Sequence, residues 1–422
     1  MRLRWAVWLA ALGVVWGQPK SGDHWVATWA TAELLVRPPA PIAAGPVSQP
    51  KAPAPGSRGF NNQTVRMIAR ISMGGRRARV RVSNAFGSVP VTVGGVHIAL
   101  RAKDSEIVAG SDHALAFDGK PGCTIGPGMV LTSDPVDMTL APLADVAVSL
   151  FFPGETGLPT DHGTALHNTY IAEGDQSSAA SMANAQVNTH YYYLAAIEAQ
   201  GPAEAATVVT LGDSITDGAR SENETNHSWP ALRAARLAGN KTTADIGVAN
   251  VGIGGNRVLR DGTGASALAR FDRDVLSQPG VKWVMFLEGI NDIGHGAQVP
   301  AEAVTAEDLI AGHKQLIEMA HEHGIQAIGC TLTPFEGAAY YREGGEAIRE
   351  ELNQWIRTSG TYDYVVDFDA ATHDTADLKK FRAEFDPGDH LHPNNLGYEA
   401  MANAVDLTIF TGKGVRRPTA RK

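Results

Sequence analysis

Thr207-Val208-Val209-Thr210-Leu211-Gly212-Asp213-Ser214-Ile215-Thr216-Asp217-Gly218 is an apolar run that breaks, at a glycine, into a polar loop. A short run of β-branched and aliphatic residues ending this way reads as a strand buried on both faces. Four more runs follow the same pattern, at 246–251, 281–287, 325–331 and 364–368. Between them lie segments with apolar residues three and four apart, clearest over 303–323 and 347–358. Buried strands alternating with amphipathic helices predict an α/β fold, a three-layer, doubly wound parallel sheet with helices on both faces. In such sheets the functional loops gather at the carboxyl ends of the strands.

Working outward, the first half of the chain has a different texture. Arg77-Ala78-Arg79-Val80-Arg81-Val82 alternates charged and apolar residues, which predicts a strand with one packed and one wet face. The run 65–71 precedes it, and Gly74-Gly75 between the two predicts a hairpin. Further strands are expected at 91–100, 129–132, 136–140 and 146–152. Short strands parted by glycine and proline turns indicate an antiparallel β-sandwich ahead of the parallel sheet. Seven prolines from Pro38 to Pro55 mark a long extended loop. The expected division is 1–17 leader, 18–203 sandwich (jelly-roll-like), 204–411 α/β domain and 412–422 tail.

With 422 residues, 44% hydrophobic and 19% charged, the chain can bury two large cores. A net charge of −9 argues against nucleic acid as a partner, since such proteins display a basic footprint. A short basic run, Lys413, Arg416, Arg417, Arg421 and Lys422, reads as a solvated tail. Arg2 and Arg4 precede an apolar stretch from Trp5 to Trp16, with Val15 and Gly17 small enough for a cleavage site. This leader predicts export to the periplasm or medium, and it is too short to span a bilayer stably. Cys123 and Cys330 fall in different predicted domains and are expected to be free thiols.

Ser214, at a strand-to-loop junction between glycines, can present its hydroxyl with little steric cover, although alone it reads as a cap or turn serine. A serine hydroxyl becomes an effective nucleophile only when a base takes its proton during attack. Asp389-His390-Leu391-His392-Pro393 supplies that base and a carboxylate to orient it, three residues apart on one short loop. Pro393, Asn394 and Asn395 then open the last helix. The competing reading, a metal site of Asp386, Asp389, His390 and His392, lacks a second ligand cluster elsewhere, so no metal or other cofactor is expected. His321-Glu322-His323 has the wrong spacing for one helical face. Asn250-Val251-Gly252-Ile253-Gly254-Gly255-Asn256-Arg257 and Glu288-Gly289-Ile290-Asn291-Asp292 follow the second and third strands. A glycine N–H and an asparagine amide are suitable donors to the oxyanion of acyl transfer.

These four motifs, in this order, resemble the SGNH (GDSL-like) hydrolases over about 205–410. The resemblance implies a flavodoxin-like α/β fold and carboxylic ester hydrolysis without a cofactor. Carried over motif by motif, Ser214 looks like the nucleophile, His392 its general base and Asp389 the orienting acid. The N–H of Ser214, Gly255 (counting from Asn250; Gly254 is the alternative) and Asn291 resemble the oxyanion donors. Trp25–Ala30, Ser83-Asn84-Ala85-Phe86-Gly87 and Thr331-Leu332-Thr333-Pro334-Phe335 are similar to a branch with an N-terminal sandwich that includes proteins similar to xylan-associated acetylesterases. The implied partner is an ester, foremost an acetylated polysaccharide or oligosaccharide. A lipid-directed esterase or lysophospholipase is the alternative, and a carbohydrate-binding protein with an inactive hydrolase domain a third. Trp229, Tyr340 and Tyr341 are aromatic residues that could stack on sugars.

Overall fold

The structure, a computed structural model, describes residues 24–35 and 54–412. The leader, the proline-rich stretch 36–53 and the tail from Lys413 lie outside the described residues.

Seven strands form the frame of the first half: β1 (His24–Ala30), β2 (Gln63–Arg70), β3 (Gly75–Ser83), β4 (Gly95–Lys103), β5 (Asp145–Phe152), β6 (Thr169–Glu173) and β7 (Leu194–Gly201). One antiparallel sheet runs β1-β7-β3, with Val130–Thr132 and Val136–Leu140 on the far edge of β3. The other runs β6-β2-β5-β4, with short edge strands on either side. Alternate residues of both sheets meet in one core: Ala78, Val80, Val82 and Ile197 from the first, Val65, Met67, Val96, Ile98, Val146 and Val148 from the second. Period-two burial on each strand is what lets two sheets share that core.

The expected hairpin across Gly74-Gly75 does not form. β2 and β3 belong to different sheets, and the link between them crosses the sandwich. Neither glycine has a positive φ. Gly74 is there for close approach: a Cβ would strike the Leu140 carbonyl oxygen. Ser72 and Met73 bond to Thr28 of β1 instead of pairing across a turn. The 91–100 run is likewise two strands, Val91–Val93 and β4, parted at Gly94. The charged face of β3 is not simply wet. Arg79 and Arg81 both grip the buried Glu198 of β7, at 2.5 and 2.6 Å, and Arg79 also covers the Trp25 ring.

The second half begins at β8 (Ala206–Gly212) and continues through β9 (Ile246–Gly252), β10 (Val281–Leu287), β11 (Gln326–Cys330) and β12 (Tyr364–Val366). All pair in parallel, in the order β9-β8-β10-β11-β12. β8 is buried at every residue, as its unbroken apolar run requires. The helical turn α1 (Ser214–Asp217) follows β8; α2 (Trp229–Ala238), α3 (Ile290–Gln298), α4 (Ala306–Glu322), α5 (Glu343–Thr358) and α6 (Asn395–Ala404) complete the layers. Thr305 and Asp308 form a capping box that starts α4 three residues later than the periodicity suggested. Cys123 and Cys330 are both free, and burial pushes the Cys123 thiol up to about 11. Among the described residues no helix is long and apolar enough to cross a membrane.

The sandwich covers the edge strand of the parallel sheet. Ser72 Oγ accepts the Val248 N–H of β9 at 2.7 Å, and Thr207 Oγ1 donates to the Pro279 carbonyl and accepts the Ala27 N–H. Gly247 faces the β1 backbone so closely that a Cβ would collide with the Ala27 carbonyl oxygen. Gly247→Ala should therefore force the two halves apart locally and lower stability by about 1–3 kcal/mol, read from the denaturant midpoint; an unchanged midpoint would contradict this packing.

Candidate active site

Strand register brings the polar motifs together. Gly212 pairs with Gly252 on one side and Leu287 on the other, so the segments beginning at Asp213, Ile253 and Glu288 leave the sheet at one level. Space there is tight. A Cβ on Gly212 would come within 2.5 Å of the Leu287 carbonyl oxygen, and one on Gly252 would strike the Asp217 backbone. Asp213 caps α1 by accepting the Ile215 N–H at 2.9 Å, and Gly218, at φ 109°, closes it by returning its N–H to Ser214 O. Ser214, the first residue of this turn, is half-buried with its hydroxyl toward the loop that precedes α6.

That loop carries Asp389 and His392. His392 Nε2 lies 2.8 Å from Ser214 Oγ, and His392 Nδ1 lies 3.0 Å from Asp389 Oδ2. Asp389 Oδ1 accepts the backbone N–H groups of Leu391 and His392, so the carboxylate folds its own loop into place. Asn394 then caps α6 through the Leu396 and Gly397 N–H groups. Burial raises the Asp389 carboxyl, but the His392 N–H and ring, Arg220 and the Leu391 N–H more than offset it and hold it well below the usual carboxylate range. Arg220 Nε donates to Asp389 Oδ2 at 2.8 Å. Sequence reasoning missed Arg220, because an exposed arginine after a turn has no pattern that marks it.

The Gly-rich loop forms a turn from Ile253 to Asn256, closed by the Asn256 N–H on Ile253 O. Gly255, at φ 75°, takes the position of that turn which favours glycine. A Cβ on Gly254 would stand 4.0 Å from Ser214 Cβ, whereas one on Gly255 would face Thr263. The Gly254–Gly255 peptide is therefore beside Ser214. Asn291, in the first turn of α3, donates one amide hydrogen to Asn256 O at 3.0 Å and keeps its second. Tyr340 donates to Asn291 Oδ1 at 3.4 Å, and its ring rests on Gly294 where a Cβ would not fit. It thus orients the amide. Trp229 is 0% exposed in the core and is not placed to stack on a sugar, a correction to its reading as a candidate. Tyr341 packs edge-on against Phe335 and is half-buried. His390 pairs with Asp386, and His321 with Asp363. Among the described residues no group of three or more His, Cys, Asp or Glu is arranged to hold a metal.

Beneath Ser214 lies a buried charge cluster that the motifs did not reveal. Arg270 has no exposed surface and donates to Gly212 O, Val251 O, Asn256 Oδ1 and Asp274 Oδ2. Glu288 is 3.9 Å from it and fully buried. Asp292 accepts the Val258 and Leu259 N–H groups, fixing the Gly-rich loop from below. Burial raises the Glu288 and Asp292 carboxyls; Asp213 and Asp292 push Glu288 further up against Arg270, while the Val258 and Leu259 N–H groups and Arg257 oppose the rise at Asp292. Burial also raises Asp213, to about 7; Asp292 and Asp217 add to this, while the Ile215 N–H and Arg270 oppose it. A carboxyl raised on folding stabilises fully below its unfolded value and loses that contribution as pH rises through its folded value. Asp213→Asn, which keeps the cap, should therefore gain stability relative to the unmodified chain as pH rises from about 4 to about 7, read from denaturant midpoints. Parallel pH profiles would contradict the raised carboxyl.

Residues 210–400 match the GDSL-like Lipase/Acylhydrolase family. No curated protein matches the chain. Similar solved structures include the acetyl xylan esterase AlAXEase, at 20% identity over 47% of this chain and 96% of that one, with a TM-score of 0.37. A catalytic mutant of Axe2, an acetylxylan esterase from Geobacillus stearothermophilus, is 23% identical over 51% of this chain and 97% of its own, with a TM-score of 0.39. A GDSL-like lipase from Bacteroides thetaiotaomicron VPI-5482 is 20% identical over 49% and 88%, with a TM-score of 0.36. The parallel-sheet half that follows the antiparallel region is thus an SGNH-type domain that matches the GDSL-like lipase/acylhydrolase family over residues 210–400.

Proposed function

We propose that the protein is an exported serine esterase that removes short acyl groups, O-acetyl foremost, from carbohydrate, with Ser214, His392 and Asp389 as its catalytic triad. The observation that carries this reading is the unbroken relay from Ser214 Oγ through the His392 ring to Asp389, with links of 2.8 and 3.0 Å. Export is inferred from the leader-like first 17 residues. The choice of carbohydrate rests on the sequence resemblance and on the rim beside His392, where Arg220, Asp386 and His390 present polar groups suited to a hydrophilic alcohol.

In the first step Ser214 Oγ attacks the ester carbonyl and His392 Nε2 takes its proton. Asp389 holds Nδ1 and stabilises the imidazolium that results. The carbonyl oxygen becomes an oxyanion and accepts hydrogen bonds from the N–H groups of Ser214 and Gly255 and from the Asn291 amide. Collapse breaks the bond to the alcohol oxygen, which leaves with the proton from His392. Water then repeats the sequence on the acyl-serine and releases the acid. Each step uses side chains and backbone of this chain alone.

Ser214→Ala should reduce hydrolysis of an aryl acetate to background, and Asn291→Ala should lower kcat by about 100- to 1000-fold. Retained turnover in Ser214→Ala would remove the nucleophile assignment. Across aryl esters of increasing acyl length, the rate should peak at acetyl. A peak at octanoyl or longer would favour a lipid substrate instead. Acetate release from acetylated xylan, pectin, chitin and phospholipid would then identify the alcohol.

A further inference from the structure

Residues 218–228 join the Ser214 turn to α2 and cross the boundary between the two halves of the molecule. Three non-glycine residues in this short stretch hold left-handed backbone conformations: Arg220 (φ 68°), Glu224 (φ 65°) and Asn226 (φ 58°). Such conformations are unfavourable for residues with a Cβ and persist only where the surroundings impose them. The surroundings here come from the sandwich. Arg101, on β4, donates to Glu224 Oε2 at 2.5 Å. The Asn168 N–H donates to Glu224 Oε1 at 2.6 Å, and His167 Nδ1 lies 3.3 Å from Oε2. The Glu224 N–H donates to Leu166 O, and His167 Nε2 meets Asn226 Oδ1.

The same stretch reaches the proposed triad at its other end. Arg220 donates to Asp389 Oδ2, the Glu222 N–H donates to Asn395 Oδ1, and Ala219 O accepts the Tyr398 hydroxyl. Just upstream, His162 of the sandwich spans Ala32 O and Asp217 Oδ1 at 2.7 and 3.0 Å, holding the end of the Ser214 turn. A rigid strand therefore grips the middle of a strained segment whose near end touches the triad carboxylate. Arg101 is itself fixed, by the Asp104 carbonyl at 3.0 Å and by Asp145 at 3.9 Å.

We propose that the antiparallel half is a positioning element of the esterase: Arg101, acting through Glu224, fixes the segment that presents Arg220 to Asp389 and so keeps Asp389 aligned on His392. The proposal rests on the reading of Ser214, His392 and Asp389 as the triad. It gives the sandwich a role in turnover rather than in packing alone. Glu224 suits the task because its carboxylate stays charged at working pH. Burial would raise it, but His167, Arg101 and the Asn168 N–H overcome this and bring it down to about 2.

The test uses the full chain and an aryl acetate, with kcat, KM and melting temperature measured for Arg220→Ala, Glu224→Gln and the double variant. Arg220→Ala should lower kcat by about tenfold with little change in KM, the size expected for loss of a charged hydrogen bond that acts in the transition state. Glu224→Gln should lower kcat in the same way, and the double variant should be no slower than Arg220→Ala, because both act through one contact. Should Glu224→Gln not fold, Arg101→Lys takes its place, with the same non-additive result expected. A folded Glu224→Gln or Arg101→Lys with unchanged kcat, or losses that multiply, would overturn the proposal. Ser214→Ala separates the two levels. If it retains turnover, the triad reading fails; if it is inactive while Glu224→Gln matches the unmodified enzyme, only the positioning role fails.

Discussion

A guanidinium with no exposed surface ties the carboxyl ends of two neighbouring strands together. Arg270 donates to Gly212 O at the end of β8 and to Val251 O near the end of β9, and its Nε holds Asn256 at the close of the Gly-rich turn. The residue after Gly212 caps the Ser214 turn, and the residues after Gly252 form the candidate oxyanion loop. One side chain therefore sets the separation of the two groups on which acyl transfer by this chain would depend. A buried cation needs compensation, and the site supplies it with Asp274 at 3.0 Å and Glu288 at 3.9 Å. Removing one partner from such a buried set is strongly destabilising, because the other charges remain without water or a counterion.

The same compensation shapes the electrostatics below Ser214. Asp213 and Glu288 share the charge of Arg270 with Asp292 close by, and burial drives all three carboxyls above their ordinary range. Asp389, near the surface, goes the other way because backbone N–H groups, His392 and Arg220 surround it. The result is a floor whose carboxyls resist ionisation and a rim whose carboxylate keeps its charge. An imidazolium formed at His392 during attack would find its compensating charge at Asp389 and not beneath the nucleophile.

Much of this was legible in the amino-acid order. Five apolar runs became five parallel strands, because a strand buried on both faces must be apolar throughout. Ser214, Asp389 and His392 could be picked out as candidates because acyl transfer by a serine would demand those residue types beside strand ends and helix starts. Other features left no local trace. Gly74-Gly75 read as a hairpin, yet its glycines serve a close approach to Leu140 between two sheets, and that contact is long-range. Arg270 lies in no motif of the sequence; only its place on the helix face shared by Ala267 and Phe271 hints at burial. Arg220 and Tyr340 act on Asp389 and Asn291 across 169 and 49 residues of chain, distances over which sequence spacing carries no information.

The central claim is that Ser214 is a nucleophile activated by His392 and Asp389. Labelling with a fluorophosphonate tests it whatever the natural substrate, because the probe reports activation of the serine itself. Peptide mapping should find the adduct on Ser214, and the labelling rate should collapse in His392→Ala while the fold is retained. An adduct on another residue, or a Ser214 adduct that forms equally fast without His392, would contradict the account.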